Sequence, residues 1–195
     1  MQWQNDKEQT RKDVISEMTT ERLTTRGMIY ASLFGALTAI GALVSIPLQP
    51  VPVTLQTLFL YLAGSLLGGG LGALSQLIYI VLGVIGLPVF SGGKAGLGVF
   101  IGPTGGYLIG FVAGAFVTGT FVRLREKPGL VWIVFAMLAG TAVVYALGVL
   151  QLVLIGRLSV EKAAAVGVLP FLPGDALKIA AASVITLKVR DRIRI

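Results

Sequence analysis

The chain has 195 residues and a formal charge of +7, and 55% of its residues are hydrophobic while only 13% are charged. Soluble domains carry about 25% charged residues, whereas three long stretches here, 27–93, 95–122 and 128–156, contain no Asp, Glu, Lys or Arg. Such long uncharged stretches exclude a water-soluble fold. The basic residues lie at the ends of the apolar stretches, and this distribution argues against nucleic-acid binding.

The chain contains no cysteine and no histidine. Disulfides, thiol catalysis and thiolate metal sites are therefore excluded, and the commonest metal ligand and general base is missing. We expect no catalytic or metal site, which argues against an intramembrane enzyme. Residues 1–26 are polar and do not match a secretory signal, so we predict a polar cytoplasmic tail over 1–26 and a membrane domain over 27–195.

Clusters of proline and glycine divide the apolar stretches into six predicted helices. A helix needs about 20 apolar residues to cross the hydrocarbon core of a bilayer. The breaks are a proline-rich run at 47–52, in which no continuous helix can form, a glycine triplet at 68–70, and a glycine-rich loop between 88 and 103. The pattern predicts an all-α integral membrane protein, a bundle of six transmembrane helices over residues 28–46, 55–68, 70–87, 104–123, 130–150 and 173–189.

Lysine and arginine are distributed unequally between the two faces of this bundle, and such residues favour the cytoplasmic side. One face carries five basic residues in the N-terminal tail, three in the loop at 123–127 and four in the C-terminal tail. The other face carries Lys94, Arg157 and Lys162. We therefore predict that both termini are cytoplasmic and that the proline-rich and glycine-rich loops lie outside.

Asp175 is the only acidic residue within a predicted span, and Lys178 follows three residues later on the same helical face. Charged groups inside a membrane are costly and usually mark a ligand or ion pathway; the alternative is a structural ion pair near the outer end of the helix. Pro173 would place Asp175 in the first turn, where the helix dipole favours a carboxylate. Lys178 could bind a ligand carboxylate, and Asp175 could accept hydrogen bonds from ring N–H groups.

Four more polar residues belong to the outer end of the predicted bundle. Lys94 is the only charge in the glycine-rich loop and would supply a second cation, although it could equally be an exposed loop lysine. Spacing alone favours water-facing helix-end side chains for Gln56 and Thr104, and an interfacial aromatic anchor for Tyr107. The glycine-rich loop is no nucleotide site, because a P-loop needs glycine at position 88, where proline stands.

Small residues form a strip along one face of the first predicted helix. Such strips let helix backbones approach closely, and the approaching helix belongs either to a partner or to the same bundle. Spacing alone favours packing within the bundle. The strip consists of Ala31, Ser32, Gly35, Ala36 and Ala39.

Four motifs resemble the BioY family, the biotin-capturing S components of energy-coupling factor (ECF) importers. The motifs are PVPVTLQ at 50–56, GLPVFSGG at 86–93, GPTGGY at 102–107, and PGD at 173–175 followed by Lys178, and the resemblance covers about residues 28–190. It implies a biotin site near the outer face, biotin as transported ligand and no cofactor. The ligand contacts that it implies are Gln56, Lys94, Tyr107, Asp175 and Lys178, with Lys94 standing where some members carry a neutral amide.

The resemblance also implies partners and a location. The strip from Ala31 to Ala39 would dock a membrane T component linked to two cytoplasmic ABC ATPases, in the plasma membrane of a prokaryote. Because the chain has no nucleotide motif, uptake against a gradient would need such a partner. A rival interpretation is an autonomous membrane carrier for biotin or another small carboxylated vitamin, which would support sustained uptake without ATP. In a purely structural bundle, changes at Asp175 or Lys178 would affect stability and no ligand affinity.

Overall fold

The structure is a computed structural model that describes residues 24–190. Most of the predicted N-terminal tail, residues 1–23, and the last five residues lie outside the described part. A short antiparallel ribbon, β1 (Ser45–Ile46) and β2 (Val53–Thr54), joins the first two helices. The helices are α1 (Thr25–Leu43), α2 (Gln56–Leu67), α3 (Gly69–Val84), α4 (Leu97–Ile101), α5 (Gly105–Arg123), α6 (Leu130–Leu154), α7 (Val160–Gly167) and α8 (Leu172–Val189), with a 3-10 turn at Leu169–Phe171 before α8.

Four stretches of the described residues are long and apolar enough to cross a membrane: α1, α5, α6 and the stretch Val160–Val189 that ends with α8. The apolar helices α2 and α3 have 12 and 16 residues, which corresponds to roughly 18 and 24 Å of helix. All six predicted helices are present, but α1 ends at Leu43 and α3 at Val84, each three residues before its predicted end, and α6 continues to Leu154, four residues beyond its predicted end. By length and composition, α1, α5 and α6 qualify as spans, and α8 qualifies as part of the stretch Val160–Val189.

Three of the predicted loops contain secondary structure that the sequence pattern did not indicate. Around the proline-rich run, Ser45 pairs with Thr54 and Ile46 with Val53. The all-α prediction is wrong in this detail, because residues 45 and 46 form a strand and not the end of the first predicted helix. Proline prevents a helix but tolerates extended backbone at a sheet edge. In the glycine-rich loop, residues 97–101 form the short helix α4. The predicted loop at 151–172 contains α7 and the 3-10 turn.

The turn between α2 and α3 uses one glycine rather than three. Gly68 has a φ of +88°, a left-handed conformation that glycine adopts without a steric penalty. Gly69 and Gly70 already belong to α3. The predicted break at the glycine triplet is confirmed at Gly68 alone.

Helix α2 lies in the middle of the bundle and packs against α1, α3, α5 and α8. Every residue from 60 to 67 is buried, as expected for a helix that is apolar on all sides. The backbones of α2 and α5 are in close contact, because a Cβ added at Gly64 would lie 2.6 Å from the carbonyl oxygen of Ala115. Large apolar side chains such as Val131 and Leu177 point outward and are exposed, which suits a surface in contact with lipid.

The structure divides the small-residue strip of the first helix. Ala31 and Gly35 are buried, and a Cβ at Gly35 would lie 2.9 Å from the carbonyl oxygen of Ser75 in α3. Ala39 is half-buried, whereas Ser32 and Ala36 are exposed. The expectation that the whole strip is available to a partner is therefore wrong for Ala31 and Gly35, because both are buried within the bundle and Gly35 packs against α3.

Candidate ligand-binding site

A cavity of about 460 Å³ lies at one end of the bundle, where the β-ribbon and the segment between α3 and α5 cover the helices. This volume falls within the usual range of small-molecule sites, roughly 300–1,000 Å³. The structure brings all five predicted ligand contacts to this cavity, together with Thr104. The predicted residues that line it are Gln56, Lys94, Tyr107, Asp175 and Lys178.

Asp175 and Lys178 form a buried ion pair in the first two turns of α8. Lys178 Nζ lies 2.7 Å from Asp175 Oδ1, and the two residues are 7% and 4% exposed. Thr57 Oγ1 of α2 donates to Asp175 Oδ1 at 3.0 Å and accepts from Lys178 Nζ at 2.9 Å. Tyr145 of α6 donates its hydroxyl to Asp175 Oδ2 at 2.5 Å. Both carboxylate oxygens are therefore hydrogen-bonded, as a buried charge requires.

The start of α8 explains why this pair faces the cavity. Pro173 occupies the first turn of the helix, a position where its missing N–H costs nothing. Asp175 is the acidic residue of that same turn, and the i,i+3 spacing puts Lys178 beside it. The pairing that the sequence predicted is thus confirmed, whereas its contacts to Thr57 and Tyr145 come from other helices.

Gln56 occupies a second polar position in the cavity, at the start of α2. Its Nε2 donates to the Tyr79 hydroxyl at 2.5 Å, and its Oε1 accepts from Thr54 Oγ1 at 2.8 Å. The residue is 5% exposed, so the expectation from spacing of a helix-end side chain facing water is wrong. The Phe90 ring meets Tyr79 edge-on, with 5.6 Å between centroids, and covers this position.

Tyr107 forms part of the apolar wall and is not an interfacial anchor. It is buried, and its hydroxyl donates to the carbonyl oxygen of Gly167 in α7 at 2.8 Å. Its ring packs against Phe171, with 6.3 Å between centroids, and lies on Gly148, where any Cβ would collide with it. The hydroxyl is thus already used within the protein, and the ring is the part of Tyr107 that faces the cavity.

Lys94 lies at the mouth of the cavity on a tight turn. The Phe90 N–H donates to the Lys94 carbonyl oxygen, and the Gly93 N–H donates to the Phe90 carbonyl oxygen, both at 3.0 Å. Gly92 and Gly93 have φ values of +75° and +70°, which the turn requires. Lys94 is exposed and forms no ion pair within residues 24–190.

Sequence reasoning missed Thr57, Tyr79 and Tyr145 as site residues. Thr57 directly follows the PVPVTLQ motif and shares the first turn of α2 with Gln56, so its position next to the motif was a usable signal. Tyr79 and Tyr145 lie within apolar helices, and nothing in their local spacing distinguishes them from other membrane tyrosines. Only the packing of α3 and α6 against α2 brings them to the cavity.

Comparison with known proteins gives a consistent result. The family model of the BioY family matches residues 15–195. A biotin transporter BioY of Thermotoga maritima is 42% identical over 165 residues, which cover 85% of this chain and 96% of that protein. One of Rhizobium etli is 40% identical over 173 residues, covering 84% and 92%.

A solved structure is similar to this chain over the whole bundle. It is the crystal structure at 2.1 Å of the S-component for biotin from an ECF-type ABC transporter, with a TM-score of 0.79 and 29% sequence identity. The similarity covers 88% of this chain and 94% of that chain. The likeness in sequence therefore extends to the arrangement of the helices.

Proposed function

The chain belongs to the BioY family, and from this premise we propose that it captures biotin and serves biotin uptake by an ECF-type transporter. The relatives named above are biotin transporters, and the solved neighbour is the S-component for biotin of such a transporter. The observation that carries the proposal is the cavity with the buried Asp175–Lys178 pair. The chain acts as a binding component and has no catalytic activity of its own.

The ligand contacts proposed are Gln56, Lys94, Tyr107, Asp175 and Lys178, with Thr57 and Tyr145 supporting the ion pair. Biotin carries a neutral ureido ring, an apolar thiophane ring and a carboxylate. Hydrogen-bond donors and acceptors in the cavity suit the ureido ring, and the aromatic wall suits the apolar thiophane ring. A lysine suits the carboxylate. Tyr107 contributes its ring rather than its hydroxyl, because that hydroxyl is bonded to Gly167.

The charges of the cavity favour one orientation of biotin. Lys178 is neutralised by Asp175 at 2.7 Å, so the buried end of the cavity carries no net charge. A ligand carboxylate placed there would add an uncompensated buried charge, which is costly. Lys94 is exposed at the mouth and forms no ion pair in the described residues. The ureido ring therefore binds at Asp175 and Lys178, and the carboxylate points toward Lys94.

This orientation predicts a coupling between Lys94 and the ligand carboxylate. Methyl esterification of biotin should weaken binding to the wild-type protein by about two- to fivefold, the range of an exposed ion pair. Lys94→Gln should weaken biotin by the same factor and leave the affinity for the ester unchanged, because the partner is then already missing. Titration calorimetry of both ligands on both proteins measures the coupling. An undiminished ester penalty in Lys94→Gln would place the carboxylate elsewhere, next to Lys178.

The ligand itself can be identified directly. Mass spectrometry of small molecules released from the detergent-purified protein, expressed in cells that contain biotin, should detect biotin in proportion to the protein. A purified protein that contains no biotin and does not bind added biotin would overturn the proposed function. If a different carboxylated vitamin is detected, the substrate assignment would change to that vitamin, and the assignment of the binding site would stand.

We further propose that residues 27–195 form one membrane domain with six crossings, in the plasma membrane of a prokaryote. The helices α2 and α3 cross as well as the four long spans, both termini are cytoplasmic, and the cavity opens outward. Because the chain has no cysteine, Ser91→Cys should react with an impermeant maleimide in intact cells, and Lys127→Cys only after permeabilisation. Labelling of Lys127→Cys in intact cells, and of Ser91→Cys only after permeabilisation, would show that the protein has the opposite orientation in the membrane.

Energy for uptake comes from partners in this proposal, namely a membrane T component and two ABC ATPase subunits. The neighbour's description as an S-component of an ECF-type ABC transporter supports such partners. The docking surface is the exposed half of the first-helix strip, Ser32 and Ala36, together with the half-buried Ala39. Ala31 and Gly35 are buried within the bundle, and Gly35 contributes indirectly by bringing α1 close to α3.

A further inference from the structure

The end of helix α4 is held by a side chain from α6. Gln151 Nε2 lies 3.2, 3.5 and 2.5 Å from the carbonyl oxygens of Phe100, Ile101 and Gly102, and its two N–H groups donate to the two nearer ones, those of Phe100 and Gly102. Carbonyl groups in the last turn of a helix have no partner within the helix and need one from outside. One amide group of α6 therefore supplies the C-terminal end of α4 with hydrogen bonds.

The segment 97–104, which contains α4, is part of the cavity wall. Val99 and Thr104 line the cavity, and Thr104 Oγ1 donates to the Val99 carbonyl oxygen at 3.4 Å. Helix α4 has five residues, none of them buried, and a helix this short is not stable by itself in water. Within residues 24–190, Gln151 provides the side-chain hydrogen bonds that join this segment to α6. The wall thus has a polar anchor on α6 in addition to the packing of Val99 and Phe100 against the core.

Two glycines allow α4, α5 and α6 to meet at this point. A Cβ at Gly105 would collide with the Phe100 carbonyl oxygen and would lie 2.6 Å from Gln151 Nε2. A Cβ at Gly106 would collide with the Leu147 carbonyl oxygen. The start of α5 must therefore be free of side chains for Gln151 to reach the end of α4.

We propose that Gln151 is a positioning residue for ligand retention, whose amide holds the 97–104 wall closed over the bound ligand. Gln151 is not one of the residues that line the cavity, so it acts through the wall and not on the ligand. The retention role rests on the proposed function, whereas the anchoring of the wall does not. The two can therefore be tested separately.

The test replaces Gln151 by leucine, which keeps most of the bulk and removes the donors. In ligand-free protein, amide hydrogen exchange in 97–104 should become about three- to tenfold faster, the effect of losing one net hydrogen bond. The rate constant for biotin dissociation should rise by a similar factor. Gln151→Glu should have a larger effect, because a carboxylate would face three carbonyl oxygens. Leu150→Ala, an exposed neighbour on α6, is the control and should change neither rate.

Unchanged exchange in 97–104 of the Gln151→Leu protein would overturn the anchoring. Faster exchange with an unchanged dissociation rate would overturn the role in retention. If Gln151→Leu cannot be purified in folded form, Gln151→Met provides the same comparison, because its flexible side chain fills a similar space and carries no N–H donor. A wild-type protein that binds no biotin would refute the proposed function, and the exchange measurement would still decide whether Gln151 anchors the wall.

Discussion

Asp175→Asn is expected to weaken biotin binding by about 2–5 kcal/mol, or roughly 30-fold or more. The change removes a charged acceptor from the proposed ureido position and leaves the Lys178 ammonium buried with no counter-charge. Tyr145 and Thr57, which now donate to the carboxylate, would meet a weaker, neutral acceptor. Lys178→Ala should weaken biotin binding by a similar amount, because it leaves the Asp175 carboxylate buried without a counter-charge. Calorimetric titration of the purified variants with biotin measures both effects.

A double variant separates a ligand-binding role from a structural one. Asp175→Asn combined with Lys178→Met leaves no unpaired buried charge, and replacing a whole buried pair is often neutral for stability. We expect its thermal stability to exceed that of either single variant while biotin binding stays weak. Wild-type affinity in Asp175→Asn would refute the assignment. If binding recovers together with stability in the double variant, the pair has a structural role only.

Ala36→Trp is expected to abolish biotin uptake in cells while the purified protein still binds biotin. Ala36 is exposed on α1, at the surface proposed to dock the T component, where a small residue permits close helix contact. An indole at this position would hold the two helices apart. Lipid would accommodate the same side chain, so the isolated protein should fold normally. Uptake of labelled biotin, co-purification with the ATPases and calorimetric binding together measure the outcome.

Two variants provide the comparison for Ala36→Trp. Ala142 is a small exposed residue of α6, away from α1 in the chain, and Ala142→Trp should leave both uptake and binding intact. Gly35→Trp should damage folding and binding together, because Gly35 packs against the Ser75 carbonyl oxygen and overpacking is destabilising. If the Ala36→Trp protein loses biotin binding as well as uptake, docking at this surface is refuted. Biotin uptake that persists without the ATPases would also refute it.

The family assignment made from four short motifs is confirmed, and much of the cavity comes from those motifs. Gln56 and Tyr107 end two of the motifs, Lys94 directly follows another, and Asp175 lies in the fourth. The motifs therefore identified these four cavity residues before the structure was known. The pairing of Asp175 with Lys178 also followed from sequence, because helical geometry alone puts residues three apart on one face. Side chains three residues apart in one helix are neighbours however the helices pack against one another.

Other features depended on contacts between distant residues. Tyr145 reaches Asp175 across 30 residues, and Gln56 reaches Tyr79 across 23, in helices whose own patterns mark neither tyrosine. The anchor at Gln151 also joins residues about 50 positions apart. A side chain in the middle of an apolar span can face lipid, a neighbouring helix or a cavity, and its spacing is the same in all three cases.

Composition, charge distribution and motif order were enough to predict a helical membrane protein of one family and the approximate positions of its six main helices, but not the β-ribbon, α4 or α7. Which face of each helix is buried was decided by tertiary structure alone. The first-helix strip illustrates the reason: Gly35 packs against α3 while Ala36, its neighbour, is exposed. Lipid tails are as apolar as the interior of the bundle, so the contrast between polar and apolar faces that orients helices in soluble proteins is absent here.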